Sequence, residues 1–277
     1  MKSTRLFGWL LFTGLLAGLF VGPAEAGREI VIYGDSQLNG DLTRWVIQGI
    51  MAVKPTQVFH CGDMVDQGTD YDWSRFSLLT DPLRKTAEFI PTLGNHDIQN
   101  PANLFRYFPR FQSSRWYSVD RLGIHFILLD TVSSDFSPGS PQYRWLEQDL
   151  AVRPPGTRFT LLISHVPFMC SANHQGQIAQ VEAALSLLVK AGGVAATFSG
   201  HCHVYERSRR DGIFFVVTGG GGSMMGNQEY PNPYCEVFRN RAHFVAITPG
   251  ANQLLVESLN PDLKLLDSFI IPTAPVP

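Results

Sequence analysis

The sequence has few charged residues, few cysteines and almost no net charge. Of its 277 residues only 17% are charged, and 22 Lys+Arg balance 24 Asp+Glu to a net charge of −2. The low charged fraction excludes a charge-driven disordered chain. The charge balance argues against a dedicated nucleic-acid-binding protein, because such proteins are usually strongly basic. The sequence also lacks heptads and repeats of the solenoid kind, so we predict one domain with one large core.

The N-terminus has the pattern of an export signal. Lys2 and Arg5 precede an uncharged stretch over residues 6–21, and Ala24 and Ala26 follow as small residues at a cleavage site. This predicts a signal peptide over residues 1–26 and an exported protein, periplasmic or extracellular. After cleavage of this signal peptide, we expect no stable insertion of the mature protein into a membrane. The alternative is a retained anchor, although the apolar run is shorter than the roughly 20 residues of a membrane span.

The four cysteines are too few for a disulfide scaffold in a chain of this length. An exported protein meets oxidising conditions, and two of the cysteines lie in predicted loops. We therefore predict a disulfide between Cys170 and Cys235. Cys61 and Cys202 are predicted to be buried small residues.

Short apolar runs alternate with helical patterns over the first two-thirds of the chain. Residues 29–34 and 57–61 read as buried strands that end at glycine, whereas Ser140 and Pro141 are typical of a helix start. The last third is rich in strand patterns. The sequence thus predicts an α/β domain over residues 27–277, with sheets covered by helices.

Five polar motifs share one position, because each follows a predicted strand. They are Gly34-Asp35-Ser36-Gln37, Gly62-Asp63-Met64-Val65-Asp66, Gly94-Asn95-His96-Asp97, Ser164-His165 and Gly200-His201-Cys202-His203. In open α/β sheets ligands bind outside the carboxyl ends of the strands, so these motifs can converge. Carboxylate, amide and imidazole side chains suit two divalent or trivalent metal ions. Taken singly, each residue fits a turn or a buried structural position equally well. The ordered set favours a metal site.

The order of these motifs resembles that of the calcineurin-like metallophosphoesterase superfamily. The stretch from Gly200 to Arg207 is similar to the GHxHxYER motif of the purple acid phosphatase branch. The resemblance implies a four-layer α/β/β/α sandwich, in which two mixed β-sheets pack face to face with helices outside. It also implies a metal-dependent phosphoric ester hydrolase.

The resemblance assigns a role to each motif residue. Asp35 and His203 would bind a first metal ion, Asp63 would bridge both ions, and the second ion would take Asn95, His165 and His201. Many family members have a histidine where this chain has Gln37, whose carbonyl oxygen is a weaker candidate ligand. The metal ions would be Fe, Mn or Zn.

The resemblance also implies a mechanism, in which a metal-bridging hydroxide attacks the phosphorus atom. His96 would act as general acid or electrostatic support, and Asp97 would orient or polarise it. The partner would be a small-molecule phosphate ester, with a monoester favoured and no nucleic acid required. Candidate substrate-binding residues are Asn95, His174 and Arg207, although a structural or solvated role is open for the last two. A phosphodiesterase, or a catalytically inactive member that binds metal or nucleotide, is the alternative.

The sequence differs from the motifs of two branches of this superfamily. Asp66 stands where purple acid phosphatases have their iron-binding Tyr, so the colour of an iron–tyrosinate centre is not expected. Gln67 and Asp97 replace an Arg and a Glu of the protein serine/threonine phosphatases, which argues against that branch.

Overall fold

Two mixed β-sheets form the centre of the molecule. The structure is a computed structural model that describes residues 27–273, so the predicted signal peptide lies outside the described residues. The strands are, in chain order, β1 (Ile30–Tyr33), β2 (Gln57–His60), β3 (Glu88–Pro91), β4 (Tyr117–Arg121), β5 (Ile124–Leu128), β6 (Phe159–Ser164), β7 (Ala196–Ser199), β8 (Tyr205–Arg210), β9 (Ile213–Thr218), β10 (Cys235–Arg239), β11 (Phe244–Pro249), β12 (Gln253–Leu259) and β13 (Leu265–Pro272).

Six α-helices connect these strands in the described part of the chain. They are α1 (Gly40–Val53), α2 (Asp70–Arg84), α3 (Pro101–Tyr107), α4 (Arg110–Ser113), α5 (Pro141–Ala151) and α6 (Gln175–Ala191). A 3₁₀ turn, Asp97–Gln99, precedes α3. Among residues 27–273, no helix combines the length and the apolar character that a membrane crossing requires.

The first sheet has the strand order β13-β12-β11-β1-β2-β3. Strands β1, β2 and β3 are parallel, and their register places Tyr33 opposite His60 and His60 opposite Pro91. Strands β11, β12 and β13 continue the sheet in antiparallel pairs. The carboxyl ends of β1, β2 and β3 therefore lie side by side.

The second sheet has the order β10-β8-β9-β7-β6-β5-β4. Its centre is parallel, from β5 through β6 and β7 to β9, and its two margins are antiparallel. Ser164 at the end of β6 is paired with Ser199 at the end of β7. The carboxyl ends of β6 and β7 therefore form a second edge next to each other.

The two sheets pack face to face through one apolar core. The rings of Phe59 in the first sheet and Phe126 in the second stack with centroids 4.2 Å apart. Because side chains alternate along a strand, Ile32 enters this core while Val31 faces the other side of its sheet. Both faces of these central strands are thus covered, as is usual for parallel strands.

Helices cover the outer face of each sheet. Val46 and Ile50 of α1 pack on the first sheet, whereas Leu146 of α5 and Leu185 of α6 pack on the second. The layers run helix, sheet, sheet, helix. This confirms the predicted four-layer α/β/β/α sandwich with two mixed sheets.

The predicted disulfide is wrong. All four cysteines are free, and they all lie within the described residues. The thiols of Cys170 and Cys235 both contact the buried carboxylate of Glu206 instead, and the Sγ–Oε2 distance for Cys170 is 3.6 Å. Cys61 and Cys202 are buried, as predicted.

Candidate metal centre

The polar motifs meet where the two sheets end together. Three motifs follow the neighbouring parallel strands β1, β2 and β3, and two follow β6 and β7 of the opposite sheet. The two edges are joined directly, because the backbone N–H of His201 in the second sheet donates to the carboxylate of Asp35 in the first over 2.9 Å. The candidate ligands from both sheets therefore face one crevice.

The centre of this crevice is a buried triad of Asp35, Asp63 and His165. Their potential ligand atoms all lie within 4.8 Å of one another. Each of the three side chains is almost completely shielded from solvent. Buried carboxylates are costly unless a positive charge or a metal ion compensates them.

The remaining candidate ligands form two groups around this triad. On one side, His165 Nε2 lies 3.0 Å from Asn95 Oδ1 and 3.1 Å from His201 Nδ1. On the other side, His203 Nε2 lies 3.4 Å from Asp35 Oδ1 and 3.4 Å from Gln37 Nε2.

Asp63 faces both groups through the same oxygen atom. Its Oδ2 atom is 3.4 Å from His165 Nε2 and 3.2 Å from Gln37 Nε2. A carboxylate in this position can bridge two ligand sets.

Each histidine of the crevice uses one ring nitrogen to contact an oxygen outside it. His165 Nδ1 donates to the carbonyl of Cys61 over 2.8 Å, and His203 Nδ1 donates to the carbonyl of Met224 over 3.0 Å. His201 Nε2 donates to Gln177 Oε1 over 2.8 Å. Because these oxygens only accept, the other nitrogen of each ring presents its lone pair to the crevice. Metal-binding histidines are usually held in this way.

The backbone around the ligands is unusual. Asp35, Asp63, His201 and His203 have φ values of 60°, 57°, 70° and 48°, in the left-handed region that few residues other than glycine adopt. Glycines make the close approach possible, because a Cβ on Gly94 would lie 2.1 Å from Asp63 Oδ1 and one on Gly200 2.3 Å from Asp35 Oδ2. Strained backbone of this kind concentrates at functional sites.

The charges of the crevice favour a cation. Burial alone would lower the pKa of His165, but the carboxylates of Asp63 and Asp35 outweigh burial and raise the pKa to about 10. Burial, together with the neighbouring His165 and His174, lowers the pKa of His201 to about 2. The carboxylates thus attract positive charge to His165, where a metal ion would take the place of the proton, and His201 stays neutral.

The donor set fits metal ions. It combines carboxylate oxygens, amide oxygens and imidazole nitrogens, which are ligands for Zn, Mn or Fe. The carbonyl oxygen of Gln37 is buried without a hydrogen-bond partner, although buried polar atoms are almost always paired. Turning the Gln37 amide by 180° would bring this oxygen to the place of its nitrogen beside Asp63 and His203, where a cation would satisfy it.

Comparison with known proteins gives the family. Residues 29–205 match a sequence model of the calcineurin-like phosphoesterases. The chain belongs to this family. Phosphoesterases of the family are hydrolytic and carry a dinuclear metal centre, and the buried cluster of Asp35, Asp63 and His165 is compatible with such a centre.

The relatives place the chain next to the purple acid phosphatases of this family. It is 32% identical to the probable purple acid phosphatase 20 of Arabidopsis thaliana over 67% of this chain and 49% of the relative. It is 31% identical to purple acid phosphatase 18 of the same plant over 61% of this chain and 44% of the relative. The chain therefore spans about half the length of these curated relatives.

A solved structure has the same fold. The purple acid phosphatase PPD1 from yellow lupin (Lupinus luteus) seeds superposes with a TM-score of 0.75 and 20% identity, over 88% of this chain and 53% of that one. The likeness extends past the matched residues 29–205 into the strand-rich last third of the phosphoesterase fold.

His96 lies beside the cluster. Its Nε2 atom is 3.9 Å from Asp63 Oδ2, and its Nδ1 atom donates to the carbonyl of Asp66 over 2.5 Å. The carboxylate of Asp66 is also 3.4 Å from Nδ1. Asp66, which stands where purple acid phosphatases have Tyr, thus holds the His96 ring.

Asp97 makes its hydrogen bonds with the backbone, and its predicted role in orienting or polarising His96 stays a prediction. The Asp97 carboxylate is fully buried and accepts the backbone N–H groups of Gly94, Asp63, Met64 and Val65 over 2.8–3.2 Å. These bonds fasten the two loops that carry Asp63 and Asn95 to each other. Asp97 is therefore a support of the ligand loops.

The candidate substrate-binding residues separate in space. The ring of His174 lies against His201, with centroids 4.2 Å apart, and Asn95 is in the cluster itself. Arg207 is elsewhere: its guanidinium is paired with Asp267 at 2.7 Å and with Glu236. These two carboxylates pair with Arg207, which fastens β8 to β13 and β10, and its predicted role in phosphate binding stays a prediction.

Sequence reasoning missed Gln177, which lies in the first turn of α6. Its Oε1 atom fixes the tautomer of His201. No motif marks this residue, because its partner is 24 positions away and the contact exists only in the folded chain.

Replacing Gln177 with leucine is expected to weaken metal binding by about 10–100-fold, the usual cost of losing a hydrogen bond behind a metal-binding histidine. The measurement is competition with a metal-sensitive dye. The matched control is Gln180→Leu, which changes an exposed glutamine on the same helix. This variant should bind metal with the affinity of the unmodified protein. Equal affinities in the two variants would exclude a positioning role for Gln177.

Proposed function

We propose that residues 27–277 form the phosphoesterase domain of an exported enzyme that hydrolyses small phosphate esters with two metal ions. The observation that carries the proposal is the convergence of six candidate ligands around Asp63, whose Oδ2 atom faces both ligand groups. Monoesters are favoured, since residues 200–207 resemble the purple acid phosphatase motif and relatives of that name match the chain.

The ligand groups define two metal positions. Asp35, Gln37 and His203 would hold one ion, Asn95, His165 and His201 would hold the other, and Asp63 would serve both. When bound, two ions of Fe, Mn or Zn would lower the pKa of a water molecule and neutralise charge on the phosphoryl group.

His96 is the proton donor of the proposed reaction. Its Nδ1–H group donates to the carbonyl of Asp66, and the Asp66 carboxylate lies 3.4 Å from the same nitrogen. Its Nε2 atom lies on the side of Asp63, 3.9 Å from Oδ2. Nε2–H can therefore protonate the leaving oxygen of an ester bound there.

Asn95 and His174 would position the substrate. The Asn95 carbonyl oxygen lies among the ligands, so its amide nitrogen is free to donate to a phosphoryl oxygen. His174 lies at the rim beside His201 and can contact the ester from the solvent side.

Chelation is expected to abolish activity. The mature protein should hydrolyse p-nitrophenyl phosphate faster than bis-p-nitrophenyl phosphate, and metal removal should reduce both rates to background because no ion then activates water. Activity should return with Mn, Fe or Zn. Faster cleavage of the diester would favour the phosphodiesterase alternative. Metal binding without hydrolysis of either ester would favour a catalytically inactive protein, and full activity after metal removal would end the metal-dependent account.

Export predicts a defined mature N-terminus. Cleavage after Ala26 leaves Gly27 as the first residue. N-terminal sequencing of protein from the periplasm or medium should therefore begin at Gly27. A chain that keeps residues 1–26 and sediments with membranes would show the retained anchor instead.

A further inference from the structure

An apolar groove lies next to the candidate metal centre. It encloses about 910 Å³ between the loop after β1, helix α2 and residues 223–225. Four of its lining side chains are strongly exposed: Leu38 (50%), Tyr71 (72%), Leu78 (76%) and Met224 (81%). Exposed apolar residues that cluster in one concave place mark a binding surface, whereas scattered ones do not.

Two residues of the groove adjoin the candidate ligands. Leu38 directly follows the candidate ligand Gln37, and the carbonyl of Met224 accepts the hydrogen bond from His203 Nδ1 over 3.0 Å. Arg75 lines both the groove and a small cavity that Gln37 also lines. A molecule whose phosphate lies at the metal centre therefore has the groove directly beside it.

The wall of the groove is held in a fixed conformation. Leu38 has a φ of 70°, which an L-residue with a branched side chain rarely adopts. Arg75 Nη2 donates to the Leu38 carbonyl over 3.1 Å, and a Cβ on Gly40 would lie 2.5 Å from the same nitrogen. These contacts keep the Leu38 side chain in the groove.

The chemistry of the lining favours an apolar ligand. Its aliphatic and thioether side chains, among them Leu78 and Met224, adapt to varied apolar shapes. Several of its polar side chains have partners within the chain: Asn39 caps α1, Asp41 pairs with Arg44 at 2.7 Å, and Arg75 donates to the Leu38 carbonyl. A sugar or polyol would need several free hydrogen-bonding groups there.

We propose that this groove binds the apolar alcohol group of the phosphate ester that the enzyme cleaves. The preferred substrates are then phosphate esters of alcohols that carry an aliphatic chain. This inference rests on the proposed phosphoesterase function.

The kinetic test compares phenyl phosphate with 4-hexylphenyl phosphate below its micellar concentration. The leaving groups are nearly identical in acidity, so a rate difference reports binding of the chain. Complete burial of one methylene group increases affinity about fourfold, and an open groove buries about half of the surface of each methylene group. We expect kcat/KM to be about 10–50-fold higher for the hexyl ester.

The variant Leu78→Gln should reduce this ratio of kcat/KM values several-fold. The matched control is Leu187→Gln, an equally exposed leucine on α6 at 81%, which should keep the ratio.

A binding test separates the groove from the chemistry. The dissociation constant of 4-hexylphenylphosphonate, which is not hydrolysed, should be about tenfold or more below that of phenylphosphonate, and Leu78→Gln should reduce the difference several-fold. If phenyl phosphate is cleaved without a chain-length advantage, the groove proposal fails and the phosphoesterase function stands. If neither ester is cleaved but the hexyl compound binds tighter in a Leu78-dependent way, the function fails and the groove remains an apolar ligand site. Equal binding of both phosphonates, or a dimer that Leu78→Gln dissociates, overturns the proposal.

Discussion

Replacing Asp63 with alanine is expected to empty both metal positions and to lower kcat/KM by at least about 10³-fold. This is the upper end of the cost of removing one electrostatic group from an active site. Asp63 Oδ2 faces both ligand groups, so no other side chain of the cluster can substitute for it. Elemental analysis of the purified variant measures the occupancy.

The comparison variant is Asp35→Ala. Asp35 lies within 3.4 Å of His203 Nε2, and we assign it to one position only. It should therefore keep more metal than Asp63→Ala does. Circular dichroism checks that both variants are folded. Equal metal contents in the two folded variants would contradict a bridging role for Asp63.

Replacing His96 with alanine is expected to leave the metal content intact and to lower turnover by about 10²–10⁴-fold, as loss of a general acid usually does. The ring contacts Asp66 and lies 3.9 Å from Asp63 Oδ2, without belonging to either ligand group. The loss should be largest for alkyl phosphates, whose leaving oxygen needs a proton. It should be smaller for p-nitrophenyl phosphate, which releases a stable anion.

A second histidine supplies the control for this prediction. His174 packs on His201 and is assigned to substrate positioning, so His174→Ala should lower kcat/KM by a similar factor for both esters. The contradicting outcome is that His96→Ala loses kcat/KM by the same factor for both esters while its metal content is unchanged. That result would reassign His96 from proton donor to electrostatic support.

Local patterns in the sequence predicted an α/β domain and the convergence of the polar motifs, whereas the four layers were implied by the resemblance to a family. Short apolar runs that end at glycine marked β1, β2 and β3, and the polar residue after each run marked the edge where ligands meet. The order of the motifs then matched one family. Spatial convergence followed from the parallel arrangement of these strands.

Residues whose roles depend on packing were not predictable. Asp97 follows His96 in the chain, yet its carboxylate faces four backbone N–H groups, and the ring is held by Asp66, 30 positions away. Arg207 belongs to the motif that identifies the branch, but Asp267 and Glu236 occupy it from strands distant in sequence. These contacts cannot be inferred from the spacing of the motifs in the sequence.

Secondary structure was missed where the pattern was weak or short. Helix α2 has few apolar residues and a proline at position 82, and it is held by Trp73 and Phe76 in the inter-sheet core. Strand β10 is five residues long and pairs only with β8 in the sheet order. Tertiary packing decides such elements more than local propensity does.

The most direct test of the account is a crystal structure of manganese-loaded protein with data at the manganese absorption edge. We predict two anomalous peaks about 3.5–4 Å apart, as in two-metal hydrolases. One should lie against Asp35 and His203, the other against Asn95, His165 and His201, and Asp63 should contact both. A single peak, or two peaks that do not share Asp63, would contradict the two-metal centre on which the proposed function rests.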